Sequence, residues 1–168
     1  MPTSHALRSR VLHKHVLQKH CLPPTLVLAL GAAAAAPAVL PTLRLAAPPL
    51  LRVAGAAVTV AGLAVTVAGS RQFARAETNI VTFDDPDVLV DTGLFARTRN
   101  PMYLGFTVAL IGWAAVTTTW LSPLTPLAFA VAADRWYIPF EEGRMAATFG
   151  ARWHDYRARV PRWLGPTA

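Results

Sequence analysis

The sequence predicts an all-α integral membrane helical bundle of about four transmembrane helices, and three observations predict it. Of 168 residues, 54% are hydrophobic and only 15% are charged, whereas soluble domains carry roughly 25% charged residues. Three long stretches, between Lys19 and Arg44, between Arg52 and Arg71, and between Arg99 and Asp134, contain no Asp, Glu, Lys or Arg. Basic residues bracket those stretches: 16 Lys and Arg stand against 9 Asp and Glu, a net charge of +7. A mean hydropathy of +0.37 calls for apolar surface that a bilayer solvates and water does not. The basic residues form no dense patch interleaved with aromatics, so no nucleic acid is expected as partner. Anionic membrane lipids are the expected counter-charge. The single cysteine, Cys21, excludes an internal disulfide and a multi-cysteine metal site.

The elements follow in order. Residues 1–21 form a basic tail, and residues 22–168 a single membrane domain. A hydrocarbon core of about 30 Å takes about 20 helical residues, so the first two charge-free stretches each hold one helix, 22–43 and 50–69. Pro37 and Pro41 kink or shorten the first. Gly55, Gly62 and Gly69 recur every seven residues on the second, as do Gly105 and Gly112 on the third. That spacing lets helix backbones touch, within the chain or between copies of it in an oligomer. The third stretch holds two helices and divides at Ser122-Pro123, Ser as cap and Pro in the first turn, giving 101–121 and 123–140. Trp120 reads as an anchor at headgroup level.

Residues 141–160 read as an amphipathic helix at the membrane surface, ended by Pro161. Met145, Phe149, Trp153, Tyr156 and Val160 share one face, which lies on lipid or packs beneath the hairpin of the third and fourth spans, and Arg144, Arg152, Arg157 and Arg159 line the other sides. The tail, the loop 70–100 and the C-terminal region hold most of the Arg and Lys, while Arg44 and Arg52 stand alone opposite. Both termini are therefore expected in the cytoplasm, with a multi-pass chain between them.

Ionisable and amide side chains converge where the third and fourth spans meet the cytoplasm. Asn100 and Pro101 suit the N-cap and first residue of a helix, whose free N–H groups, with Arg99, make a site for a carboxylate or phosphate. Gly105 leaves room for a flat ring. Asp134 and Arg135 interrupt the fourth span and Glu141-Glu142 closes it, and ionisable residues at membrane depth mark a cavity or a partner. Asp134 and Glu141 are seven apart, as are Arg135 and Glu142, so two carboxylates meet two arginines as either a salt-bridge cluster or a site. Asp84, Asp85, Asp87 and Asp91 around Pro86 lack the ligand spacing and glycine of a calcium loop. His5, His13, His15 and His20 fix no geometry, so no metal is expected.

These stretches carry a resemblance. Leu89-Val90-Asp91-Thr92-Gly93-Leu94-Phe95, Arg99-Asn100-Pro101-Met102-Tyr103-Leu104-Gly105, Glu141-Glu142, Phe149-Gly150, Tyr156 and Val160-Pro161-Arg162-Trp163 resemble the isoprenylcysteine carboxyl methyltransferase and phospholipid methyltransferase superfamily. The resemblance covers residues 89–164 and implies a membrane enzyme that binds S-adenosylmethionine at a cytoplasmic-facing site without a Rossmann domain. No G-x-G-x-x-G follows a strand pattern here. It implies cofactor contacts at Asn100, Pro101, Tyr103, Gly105 and Glu141, with Gly93 on the adjoining loop where the family often has Gly-Pro-Tyr.

The candidate catalytic residues are Arg99, suited to the methionyl carboxylate, and Glu142 and Asp134, possible bases for an amine acceptor alongside His154. Arg135, Tyr137 and Trp113 are candidate substrate contacts. Tyr137 stands where the isoprenylcysteine enzymes place an arginine, so their substrate is not implied. The expected acceptor is an amphiphilic small molecule or a lipidated substrate, its carboxylate, thiol or amine left open. Two other readings stand beside it. One is an NADPH-dependent membrane reductase resembling the sterol reductases, with Arg97 and Arg99 on a nucleotide phosphate. The other is a non-catalytic membrane scaffold.

Overall fold

The structure, a computed structural model, describes residues 23–35, 45–76 and 88–165. The basic tail with its histidines and Cys21, the two prolines Pro37 and Pro41, and Asp84, Asp85 and Asp87 lie outside the described residues. The fold is all-helical, with no strand among the described residues. Its helices are α1 (Pro23–Ala35), α2 (Pro49–Arg75), α3 (Pro101–Thr117), α4 (Leu124–Ala132), α5 (Ile138–Phe149) and α6 (Ala151–Arg159). A 3-10 turn, Gly93–Ala96, precedes α3, and a π-helical turn, Ala133–Tyr137, joins α4 to α5.

Among the described residues one helix, α2, is long and apolar enough to cross a membrane. It outruns the expected 50–69 at both ends, and at 1.5 Å per residue its 27 residues span about 40 Å. Leu51, Val53, Val58, Val60, Leu63 and Val67 on its outer surface are exposed. α1 and α3 are shorter apolar helices.

The seven-residue glycine spacing does what it predicts inside the chain. Gly55, Gly62 and Gly69 are the buried residues of α2, and α3 packs on them antiparallel. A methyl group on Gly55 would lie 2.7 Å from the carbonyl oxygen of Gly112, and one on Gly62 would lie 2.6 Å from that of Gly105. Thr59 and Thr66 sit one helical turn after Gly55 and Gly62. Each hydroxyl lies near a carbonyl of its own helix and one across the seam: Thr59 Oγ1 is 2.9 Å from Gly55 O and 3.3 Å from Ala109 O. Thr66 Oγ1 is 3.2 Å from Gly62 O and 3.3 Å from Met102 O.

The α3–α4 connection differs from expectation. α3 ends at Thr117, short of residue 121, because Thr118 takes a left-handed conformation (φ 47°) and donates its N–H to Ala114 O. Ser122 does not cap α4. Its hydroxyl lies 2.8 Å from Thr119 O and 3.1 Å from Ala114 O, and it accepts the Thr119 N–H. Ser122 thus closes the turn behind it, while Trp120 projects outward, 69% exposed.

On its other face α3 builds the main core. Tyr103, Leu110, Phe129, Ala133 and Ile138 are buried together, with Leu26, Val27 and Leu30 of α1 packed against them. The π turn has a local cause. Pro139 has no N–H for the carbonyl of Arg135, four residues back, and its ring would collide with that carbonyl in a regular helix. A wider turn relieves the collision. Beyond it the expected single helix 141–160 is two helices, broken at Gly150 (φ 53°). The apolar stripe survives the break and packs within the chain: Trp153, Tyr156 and Val160 are buried with Leu89, and Met145, Ala146 and Phe149 pack against them.

Candidate active site

The residues with chemistry gather at the end of the bundle where α3 begins. Val160 leaves α6 in an extended conformation, and the next residues run beside the segment leading into α3. Arg99 N donates to Pro161 O at 2.9 Å. Thr98 Oγ1 and Asn100 Nδ2 both donate to Arg162 O at 3.0 Å. Three hydrogen bonds thereby hold residues 98–100 against residues 161–162.

An ionic cluster lies over this stitch. Arg99 Nη2 reaches Glu142 Oε1 at 2.9 Å and Nε the same oxygen at 3.2 Å. Its Nη1 donates to the carbonyls of Arg157 and Val160. Arg162 Nη2 takes the other oxygen of Glu142 at 2.6 Å and Arg162 Nη1 takes Asp134 Oδ1 at 3.2 Å. Trp163 Nε1 donates to that same Asp134 oxygen at 3.0 Å. The side chains of Arg99 and Glu142 are only 8% and 11% exposed. Burial pushes the Glu142 carboxyl up, but the hydrogen bonds and charges of Arg162 and Arg99 outweigh it and hold the group below the usual carboxylate range. Glu142, in turn, raises the Arg162 guanidinium.

A second cluster is aromatic and acidic. Tyr103 OH donates to Glu141 Oε1 at 2.8 Å, and its ring stacks on Tyr137 with centroids 6.2 Å apart. Tyr137 and Glu141 are one turn apart on one face, so both meet Tyr103. The N-terminus of α3 adds donors. Asn100 stands at the N-cap position with no side-chain cap, its amide being turned to Arg162. Met102 and Tyr103 lie in the first turn, where backbone N–H groups have no intrahelical acceptor. Asn100, Pro101 and Tyr103 are all buried. A helix N-terminus suits a carboxylate, and a glutamate suits an ammonium or a hydroxyl. Together they match an α-amino acid.

Sequence-predicted residues divide accordingly. Asn100, Pro101, Tyr103, Tyr137 and Glu141 come together, and beside them Arg99, Glu142 and Asp134 form the ionic cluster. Arg135 does not join it: the π turn shifts the register, and Arg135 is 76% exposed with Asp134 at 3.8 Å. Of the expected meeting of two carboxylates with two arginines, Glu142 takes Arg99 and Arg162 rather than Arg135. Gly105 faces α2, and the space beside it holds Thr66 and Gly62 O, where a methyl group would meet the latter at 2.6 Å, so no flat ring fits there. Gly93 packs on the Gln72 side chain at φ 59°, and Gln72 Oε1 accepts the N–H of Leu94. Trp113 lies about 15 Å further along α3 than Tyr103 and donates to Gly31 O of α1.

Arg162 and Trp163 carry more of the site than their place in the sequence suggested. Their signal was a charged and an aromatic residue directly after Pro161, where the chain turns back. Tyr156, expected in the apolar stripe and among the residues of the resemblance, donates its hydroxyl to Phe95 O at 2.7 Å and so fastens α6 to the 3-10 turn. No group of three or more potential metal ligands occurs among the described residues.

A family profile described as Phospholipid methyltransferase matches residues 50–152. Over 77 residues the chain is 35% identical to Protein-S-isoprenylcysteine O-methyltransferase B of Arabidopsis thaliana, covering 44% of this chain and 37% of that protein. The match thus spans well under half the length of that relative. No solved structure gives a significant match.

Proposed function

Since this chain belongs to the phospholipid methyltransferase family, we propose that it is a multi-pass membrane methyltransferase that uses S-adenosylmethionine on an amphiphilic or lipid-borne acceptor. One observation carries the placement of the site. The uncapped N-terminus of α3 and Glu141 are brought together by the Tyr103–Glu141 hydrogen bond of 2.8 Å.

The residues present fit the donor. Met102 and Tyr103 would take the methionyl carboxylate on their backbone N–H groups, Glu141 would take the ammonium or ribose hydroxyls, and Asn100 and Pro101 would line the same end. When bound, S-adenosylmethionine supplies an electrophilic methyl group on a sulfonium sulfur. Arg99, Arg162, Asp134 and Glu142 act by position. They hold the α3 entrance against the C-terminal segment, and a Glu142 kept ionised between two guanidiniums is a poor proton acceptor.

The membrane reading extends α2 to a bundle. α3 and the continuous helical run from α4 through the π turn to residue 140 form the third and fourth spans, with exposed Trp120 and Trp136 at opposite interfaces, and Glu141 and Glu142 stand just beyond the fourth. α1 contributes the first span and both termini lie in the cytoplasm. The acceptor approaches from the bilayer, where Tyr137 stands near the donor site.

The test is methyl transfer from tritium-labelled S-adenosylmethionine to a total membrane extract, with the labelled species identified. A labelled lipid or lipidated molecule is the expected result. Absence of label together with absence of donor binding would reject the reading, and binding of NADPH in its place would transfer the site to a reductase.

A further inference from the structure

A separate groove lies at the same end of the bundle, on the far side of α2. Its volume is about 420 Å³ and its walls are Ala64, Val67, Ala68 and Leu94, with Arg71 and Arg75 at the rim and Gln72 between. Ala64, Ala68, Arg71 and Arg75 recur at helical spacing on the α2 face opposite Gly62, Thr66 and Gly69, which meet α3. Tyr103 and Glu141 lie beyond α3, so the seam separates the groove from the donor site. Arg71 and Arg75 are both exposed, and neither has an ion-pair partner among the described residues. The groove therefore joins an apolar wall along a membrane-crossing helix to two adjacent cations at its end.

We propose that this groove is a binding site for one anionic membrane phospholipid, distinct from the acceptor. Its acyl chain would lie along Ala64, Val67 and Ala68, and its phosphate would sit between Arg71 and Arg75. Charge complementarity selects this occupant. A zwitterionic headgroup adds a cation next to two arginines, whereas an anionic one leaves its charge to them. A soluble anion would use the arginines and leave the apolar wall idle. Leu94 and Gln72 give the site a route to function, because the Leu94 N–H bond to Gln72 holds the turn that leads into Thr98, Arg99 and Asn100. The inference rests on α2 crossing the bilayer, as the proposed function has it.

The experiment is native mass spectrometry of the full chain in detergent, with phosphatidylglycerol and phosphatidylcholine supplied equally. One phosphatidylglycerol is expected to be retained in preference to phosphatidylcholine. The double change Arg71→Gln and Arg75→Gln should weaken its binding roughly 25-fold, about 5-fold for each arginine. Val67→Trp, which keeps both arginines and obstructs the wall, should weaken it too. Arg152→Gln with Arg159→Gln, removing equal charge from exposed positions of α6, should leave it unchanged. Equal retention of the two lipids, equal loss in both double variants, or displacement by inorganic phosphate would overturn the proposal. Binding of S-adenosylhomocysteine, measured alongside, should survive the Arg71/Arg75 change. Its absence from the unaltered chain would count against the methyltransferase site and leave the lipid result to be judged by itself.

Discussion

The α2–α3 seam and the ionic clasp around Glu142 both hold the bundle together, by opposite means. The seam is backbone against backbone. It uses glycine where a side chain would collide with a carbonyl, and its polar atoms are internal threonine hydroxyls. The clasp is side chain against side chain, two guanidiniums and two carboxylates joining the segment before α3, the π turn, α5 and the C-terminal segment. The seam depends on shape, and the clasp depends on every partner being present and charged. The permanent part of the fold is thus separated from the part that positions the site.

The largest expected effect comes from breaking the clasp. Arg99→Ala leaves the nearly buried Glu142 with one cation instead of two and removes the hydrogen bonds to Arg157 O and Val160 O. Removing one member of a buried ion pair costs about 3–5 kcal/mol. Thermal unfolding in detergent should show a correspondingly large loss, with the tryptophans of the C-terminal segment released first. Next comes the seam. Gly62→Val puts methyl groups against the backbone of Gly105 and Ala109, neither of which can swing aside, and overpacking of this kind costs about 1–3 kcal/mol or more. Helical content should fall as a whole, since the α2–α3 pair is the frame.

Acid sharpens the contrast. Glu142 is held below its ordinary pKa, so its stabilisation is complete above the unfolded carboxylate value of about 4.3 and is lost as pH falls through the lower folded value. Below about pH 4 the fluorescence of Trp153 and Trp163 should report release of the clasp while circular dichroism still reports the seam helices. The smallest effect has the opposite sign. Gly143, on α5, is exposed, and a methyl group added there would meet nothing within 4 Å, so Gly143→Ala should stabilise by roughly 0.5–1 kcal/mol. The same glycine-to-alanine change at Gly55 should destabilise.

The two regions were not equally legible in the sequence. Glycines seven apart on two helices announce a close backbone approach because the spacing is itself the geometry, while the pairing of those two helices with each other, and its antiparallel sense, needed the fold. The clasp joins Arg99 to Glu142 and Asp134 to Arg162, residues far apart in the chain, and no local period relates them. Periodicity placed Arg135 on the same face as Glu142 by assuming an unbroken helix. The π turn before Pro139 moved Arg135 outward and left Glu142 to arginines from two other segments. Gly105 failed as a ring platform for a related reason: the same missing side chain that could admit a ligand had already admitted α2. Tyr103 and Glu141 entered as candidate site residues through the resemblance, whereas the hydrogen bond between them needed the fold.

Calorimetric titration of the detergent-solubilised chain with S-adenosylhomocysteine tests the central claim most directly. The account predicts micromolar-range binding, at least tenfold weaker in Glu141→Ala and little changed in Arg135→Gln. Undiminished affinity in Glu141→Ala, with the unaltered protein binding normally, would contradict the site.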